Sequence, residues 1–245
     1  MRNIKLVIEY DGSEYYGWQR QADGPTIQEM IESSLSEITG ENISLYGSGR
    51  TDSGVHALGQ VANFNTDSRV TAEEFQKGLN SILPKDIVIL GSEEAEPEFH
   101  AQFSSKSKIY LYKVLNRSYR SALLRKRVWQ VPYRLKLGTM NEAACELVGE
   151  HDFSAFAQAG IEVKSKVRTV ISAEFKKSGD DILEFTIEAN GFLKRMVRLI
   201  VGTLIQVGKE RISPGEFAVI LNSGNKNKFV LAAPPSGLYL KEVKY

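Results

Sequence analysis

The hydrophobic period of the first ninety residues switches back and forth between that of a strand and that of a helix, and the order of the switches leaves few folds open. Ile4-Lys5-Leu6-Val7-Ile8-Glu9-Tyr10 alternates as a strand. Thr26 to Ile38 carries helical spacing at Ile27, Met30, Ile31, Leu35 and Ile38. Thr26 and Glu29 fit a capping box there, and Gly40 fits a stop. Ile43 to Tyr46 and Leu58 to Phe64 read as strands, Thr71-Ala72-Glu73-Glu74 opens a second helix through Leu83, and Ile87 to Leu90 reads as a closing strand. The result is β-α-β-β-α-β, a split βαβ unit.

The acidic stretch Glu93 to Glu98, with Pro97, reads as a junction between an N-terminal half, 1–98, and a C-terminal half, 99–245. A similar order then recurs. Strands are expected at Lys106 to Leu115, Val128 to Val131, Lys166 to Phe175, Ile182 to Ala189 and Gly237 to Val243. Helices are expected from a Thr139-Met140-Asn141-Glu142 cap to Val148, at Gly191 to Val207 and at Pro214 to Leu221. The expected class is α+β, two RRM-like or ferredoxin-like halves whose sheets face a shared central cleft.

Between two of the predicted strands lies Gly47-Ser48-Gly49-Arg50-Thr51-Asp52-Ser53-Gly54-Val55-His56. Asp two residues before Gly is a common turn device, its carboxylate bonding nearby N–H groups. A plain turn has no need of Arg50, Thr51 and His56 as well. Glycines at 47, 49 and 54 permit positive φ and close approach, so the loop can present Asp52 to a ligand. Arg50 suits either an ion pair with Asp52 or a phosphate contact. His56 and His151 read as structural. In the predicted helix at 191–207, Leu193, Met196, Val197, Ile200, Leu204 and Val207 form an apolar stripe opposite Lys194, Arg195 and Arg198. Gly202, one turn after Arg198, allows another backbone to come close.

Lys and Arg number 31 against 30 Asp and Glu, a net charge of +1 that suggests no polyanionic partner. The average conceals a polarised chain. From Phe99 to Asn141 there is no acid, while Lys106, Lys108, Lys113, Arg117, Arg120, Arg125, Lys126, Arg127, Arg134 and Lys136 all fall inside, interleaved with Tyr110, Tyr112, Tyr119 and Tyr133. Phosphate attraction and base stacking require these two ingredients. Three dispersed histidines and the single Cys145 offer no metal-ligand spacing, and no phosphate-loop or dinucleotide fingerprint is present. The lone cysteine, the lack of a long apolar run and a start without a basic-then-apolar leader lead us to expect a cytoplasmic protein.

The string GSGRTDSGVHALGQVANF resembles the signature of the tRNA pseudouridine synthases of the TruA type. The likeness continues through Tyr16-Gly17-Trp18-Gln19-Arg20-Gln21, Lys108-Ile109-Tyr110-Leu111-Tyr112, His151-Asp152-Phe153-Ser154-Ala155-Phe156, Gly191 to Leu204 and Ala233-Pro234-Pro235-Ser236-Gly237-Leu238-Tyr239-Leu240. It implies an isomerase, active without a cofactor, that converts uridine to pseudouridine at positions 38 to 40 in the anticodon arm of tRNA, commonly as a homodimer. It also implies that Asp52 is the catalytic carboxylate, Arg198 its partner, Tyr110 the residue stacked on the flipped uracil and Arg50 the side chain that fills the vacated stack. Arg117, Arg120, Arg125, Lys126, Arg127, Lys194 and Arg195 are candidate RNA contacts. Attack by Asp52 at C1′ of the ribose, attack at C6 of the base, and action as a base on the ribose all remain open. A non-catalytic pair of RRM-like modules would share the basic span without needing Asp52. A nucleoside hydrolase would share a carboxylate acting at C1′ without needing so large a basic surface.

Overall fold

In a computed structural model of the protein, described for residues 1–160 and 163–245, the alternation at Ile4, Leu6 and Ile8 becomes the centre of strand β1 (Arg2–Tyr10), where all three side chains are fully buried. Helix α1 (Ile27–Thr39) adds the fully buried Ile27, Ile31 and Leu35 to the core of this unit. Helix α2 (Ala72–Ile82) adds Phe75 and Leu79, and Phe75 meets Phe64 edge-on at 5.2 Å. Strand β1 lies between β3 (His56–Thr66) and β4 (Ile87–Ala95), antiparallel to both. The two-residue β2 (Tyr46–Gly47) pairs with the far edge of β3. This gives the order β4-β1-β3-β2 expected of a split βαβ unit.

Ile43 to Leu45 are not strand. Helix α1 captures their backbone: Glu32 Oε1 accepts from the Leu45 N–H at 2.9 Å, and the Leu45 carbonyl accepts from Gln28 Nε2 at 3.1 Å. Thr26 Oγ1 does accept from the Glu29 N–H, yet the reciprocal half of the capping box is missing because Glu29 faces Arg20 instead. Around Thr71 and Glu74 both halves of such a box are present. The acidic stretch does not begin a junction at Glu93 either. Strand β4 continues to Ala95, carried by cross-strand pairs from Lys5 to Glu93 at 2.8 Å and from Arg2 to Glu94 at 3.1 Å.

The chain divides into one unit of Met1–Lys106 with Tyr239–Tyr245 and another of Ser107–Leu238. The division thus falls after Lys106 rather than after residue 98. The last strand, β10 (Leu238–Lys244), returns to pair parallel with β3 through Tyr239 and Leu240.

In the second unit β5 (Ser107–Leu115), β9 (Ile182–Ala189), β8 (Val167–Lys177) and β7 (Gly149–Asp152) follow one another antiparallel, and β6 (Trp129–Gln130) runs parallel to β5. Strand β7 has no apolar run of its own, which hid it from the sequence. In chain order β5, α3 (Leu137–Cys145), β8, β9, α4 (Met196–Gly208) and β10 repeat β-α-β-β-α-β, with α5 (Pro214–Ser223) inserted after α4. Thr139 does not cap α3. It lies inside the first turn, its hydroxyl donating to the Lys136 carbonyl at 2.8 Å.

Helix α4 departs most from expectation. It begins at Met196, because Arg195 sits in the left-handed region at φ 62°, and Lys194 and Arg195 belong to the loop before it. Every residue of α4 except Arg198 is buried, so there is no wet basic face. At Gly202 the anticipated close approach is present: a Cβ there would stand 1.8 Å from the Leu231 carbonyl oxygen. Gly138 in α3 has open space around it. Gly202→Ala should therefore cost about 1–3 kcal/mol or more, while Gly138→Ala should gain about 0.5–1 kcal/mol. Urea unfolding midpoints of the two variants check this, and equal midpoints would contradict the packing.

Candidate active site

Asp52 opens a turn in which its carbonyl accepts from the Val55 N–H at 3.1 Å, with Gly54 at φ 76° supplying the positive dihedral such a turn needs. Of the three glycines read as conformational in sequence, Gly54 holds a positive φ. Gly47 is in β2 and serves close packing, since a Cβ on it would fall 2.5 Å from Trp18 Nε1. Asp52 is half-buried and Arg50 exposed, between residues that are firmly held.

The holding groups come from four directions. Thr51 is buried, its hydroxyl bonded to the Tyr10 phenol at 2.7 Å. The Thr51 carbonyl accepts from the Trp18 N–H at 3.1 Å. Tyr15 presents its carbonyl to both Ser53 Oγ at 3.1 Å and the Gly54 N–H at 3.4 Å. On the strand side Ser48 Oγ donates to Gln60 Oε1 at 2.6 Å, and Gln60 Nε2 reaches the Gly49 carbonyl at 2.9 Å. Burial pushes the Tyr10 phenol well above the usual tyrosine range, so it stays a neutral hydroxyl at the foot of the loop. His56 is structural, as expected: it is buried, its Nδ1 accepts from the Gly12 N–H at 3.1 Å, and its ring stacks on Tyr239 at 4.7 Å. His151 lies at the edge of the second unit, with Nε2 3.2 Å from the Val148 carbonyl oxygen.

Gly17 is the residue that sequence reasoning undervalued. Its φ is 95°, and a Cβ on it would lie 2.6 Å from the Thr51 carbonyl oxygen and 3.1 Å from the Asp52 carbonyl carbon. The Tyr16-Gly17-Trp18 string is thus the back wall of the Asp52 turn.

In the second unit Tyr110 sits on β5 opposite Ile187 of β9, 7% exposed, with its ring edge-on to Phe192 at 4.9 Å. Phe192 received no role from the sequence. It precedes the turn that Arg195 makes into α4. Arg198 is braced against one residue in both directions: its Nε donates to the Ala233 carbonyl at 2.8 Å, and its own carbonyl accepts from the Ala233 N–H at 2.9 Å. Beside it Tyr112 donates its hydroxyl to the Pro234 carbonyl at 2.8 Å, and Gly237 leaves room for that ring. Burial raises the Tyr112 phenol far above its ordinary range, with the Arg198 charge pulling the other way. Ala233, at the head of the Ala233–Leu240 string, is therefore the direct support of Arg198.

The acid-free span is less uniform than its sequence. Arg117 is committed to the protein, pairing with Asp181 at 3.1 Å, donating to the Tyr119 carbonyl and lying 4.3 Å from the Tyr119 ring. Lys136 approaches Glu210 at 3.7 Å. Arg120, Arg125, Lys126 and Arg127 are exposed, as are Lys194 and Arg195.

A family model described as tRNA pseudouridine synthase matches residues 6–104 and 143–245. The interval between them contains Tyr110 and most of the acid-free span. Relatives at full length include tRNA pseudouridine synthase A of Thermoanaerobacter sp. (strain X514), 45% identical over 245 residues and 100% of both chains. The enzyme of the same name from Acetivibrio thermocellus is 46% identical, and tRNA pseudouridine synthase A 2 of Clostridium perfringens is 45% identical, each over 100% of both chains. Among solved structures a Cbf5-Nop10-Gar1 complex matches at a TM-score of 0.37 and 14% identity, over 82% of this chain and 45% of that one, too loosely to carry an argument. The chain belongs to the tRNA pseudouridine synthase family.

If Gly17 is the back wall of the turn, Gly17→Ala should lower the rate of the chemical step on a uridine substrate by about 10²-fold or more, since small misplacements of a reacting group carry costs of that order. Single-turnover rates check it. A rate within twofold of the parent would show that the turn tolerates a Cβ.

Proposed function

We propose that the protein isomerises uridine to pseudouridine in the anticodon arm of tRNA, at positions 38 to 40, with Asp52 as the nucleophile. The reaction breaks the N1–C1′ bond, turns the uracil, joins C5 to C1′, and moves one proton from C5 to N1. No oxidation state changes and no outside energy is required. A carboxylate suffices to open the exchange by attack at C1′ or at C6.

The observation that carries this reading is the bracing of the Asp52 turn. Thr51, Ser53 and Gly54 are each bonded to the scaffold, the Asp52 carbonyl accepts from the Val55 N–H, and the residue so held is half-buried rather than sealed in the core. Preorganisation of that kind suits a reacting group more than a turn whose only task is to reverse the chain. In the same reading Arg198 provides the countercharge for the Asp52 carboxylate, its aim fixed by Ala233. Tyr110, steadied by Phe192, stacks on the uracil and relays the C5 proton. Exposed Arg50 takes the place of the extruded base. A homodimer in the cytoplasm is part of the same proposal.

Asp52→Asn should abolish pseudouridine formation, by roughly 10⁴-fold or more, while tRNA affinity stays within about threefold because the amide keeps the shape of the side chain. Chemical mapping of pseudouridine on an unmodified transcript and a binding titration check the two halves. Product above background from this variant would remove Asp52 as nucleophile. Absence of product from the parent on several tRNAs would favour a non-catalytic RNA-binding module instead.

Arg198→Met should slow single turnover by about 10²–10³-fold, since the substitution keeps length and apolar bulk but removes the charge. The thermal midpoint serves as the control for the lost Ala233 bond. A rate near that of the parent at neutral pH would end the pairing of Arg198 with Asp52.

A further inference from the structure

Three loops of the second unit converge on the segment Phe153–Gln158. The loop entering β8 is tied to it by the Phe153 N–H donating to the Lys166 carbonyl at 3.1 Å. The loop entering α4 is tied to it by the Gln158 N–H donating to the Lys194 carbonyl at 3.2 Å. The loop leaving α5 packs on it at Gly224, where a Cβ would sit 3.7 Å from Ser154 Cβ. The segment is a firm base, with Phe153, Ala155 and Phe156 fully buried and Phe156 packed on Phe217 of α5 at 5.6 Å.

Each loop carries basic side chains outward from this base. Lys166 is half-buried, and Lys194, Arg195 and Lys226 are exposed. Leu193 and Met196 are both buried, so the left-handed turn at Arg195 turns the two basic residues between them toward solvent. The charges feel one another. Partial burial, then the Arg195 charge, then the Lys166 charge all hold the Lys226 ammonium below its ordinary range. Among the described residues none of Lys166, Arg195 and Lys226 forms an ion pair. The carboxylate under the Lys166 field, Asp152, already accepts from the Ser154 N–H at 2.9 Å and Ser154 Oγ at 2.6 Å. Like charges gathered on a rigid base, with no ion pair to another described residue, make a local positive field suited to a polyanion.

We infer that Lys166, Arg195 and Lys226 form a ridge that binds backbone phosphates of the RNA, separate from the acid-free span at 99–141. This rests on the proposal that the protein acts on tRNA. Phosphate contacts of this kind position a nucleic acid without reading its sequence and are recognised by counterion release.

The test is a salt titration of affinity for one unmodified tRNA transcript, using the parent, Lys166→Gln/Lys226→Gln, Lys166→Arg/Lys226→Arg and Lys226→Gln alone. The Gln pair should lower the slope of log affinity against log salt by about 1–2, and Lys226→Gln alone by about half as much, because each phosphate contact contributes roughly 0.7–0.9. The Arg pair should keep the parent slope. A parent slope in the Gln pair, or equal losses in the Gln and Arg pairs, would overturn the ridge. Pseudouridine formation by the parent separates the two levels: product with unchanged slopes in the variants defeats the ridge alone, and no product defeats the functional reading with it.

Discussion

The interaction on which the first unit's Asp52 turn depends is a backbone-to-backbone approach between residues 15–18 and 51–54. Gly17 at φ 95° lets the chain come so near Thr51 and Asp52 that no side chain fits, and the Thr51 and Tyr15 carbonyls then accept from Trp18, Ser53 and Gly54. Hydrogen bonds of this kind contribute only about 0.5–1.5 kcal/mol each to net stability. Their larger effect is positional, because they arise from two segments separated by α1 and β2, so the loop cannot shift without both segments moving. Beneath them the Tyr10–Thr51 pair is buried, where removing one partner strands the other at a cost of about 1–3 kcal/mol. The backbone that carries Asp52 is thus held through its neighbours in the chain.

The second unit solves the same problem with a helix. A helix buried everywhere else is improbable ground for the half-buried Arg198, since a charged group partly taken from water must recover its solvation. Arg198 recovers part of it from the Ala233 carbonyl, and the helix can accept Ala233 as a neighbour only because Gly202 gives the 231–233 backbone room. One glycine thus permits the close approach that fixes one guanidinium. Tyr112 closes the arrangement from the strand side by bonding Pro234, in space left by Gly237.

Much of this was legible in the sequence, and what was not failed for identifiable reasons. The periodic segments that became β1, α1, α2, β5, β8 and β9 announced themselves because each buries one face or both in its own unit. Gly202 was readable because a glycine between Val201 and Thr203 in an apolar helix pattern has no local purpose. The left-handed turn at Arg195 was not readable. Nothing local distinguishes Gly191–Arg195 from a helix start, and the residue at positive φ is neither Gly nor Asn. The short β2 was overextended because α1 side chains, distant in sequence, bond the backbone of Leu45. Gly17 lay inside a string that matched the family, yet its purpose depends on Thr51, thirty-four residues away, and only the folded backbone reveals it.

The charge pattern shows the same gap between sequence and fold. The acid-free span of 99–141 looks like a single basic surface, but the fold spends Arg117 on Asp181 and Tyr119 and draws Lys136 toward Glu210. Conversely Lys166, Arg195 and Lys226 lie some thirty residues apart in the sequence and are gathered by three loops on one rigid segment. A linear run of charge is a property of the chain, whereas the field that a polyanion meets depends on which charges the fold has already neutralised. For a chain with a net charge of +1, that distribution rather than the total decides where a nucleic acid is held.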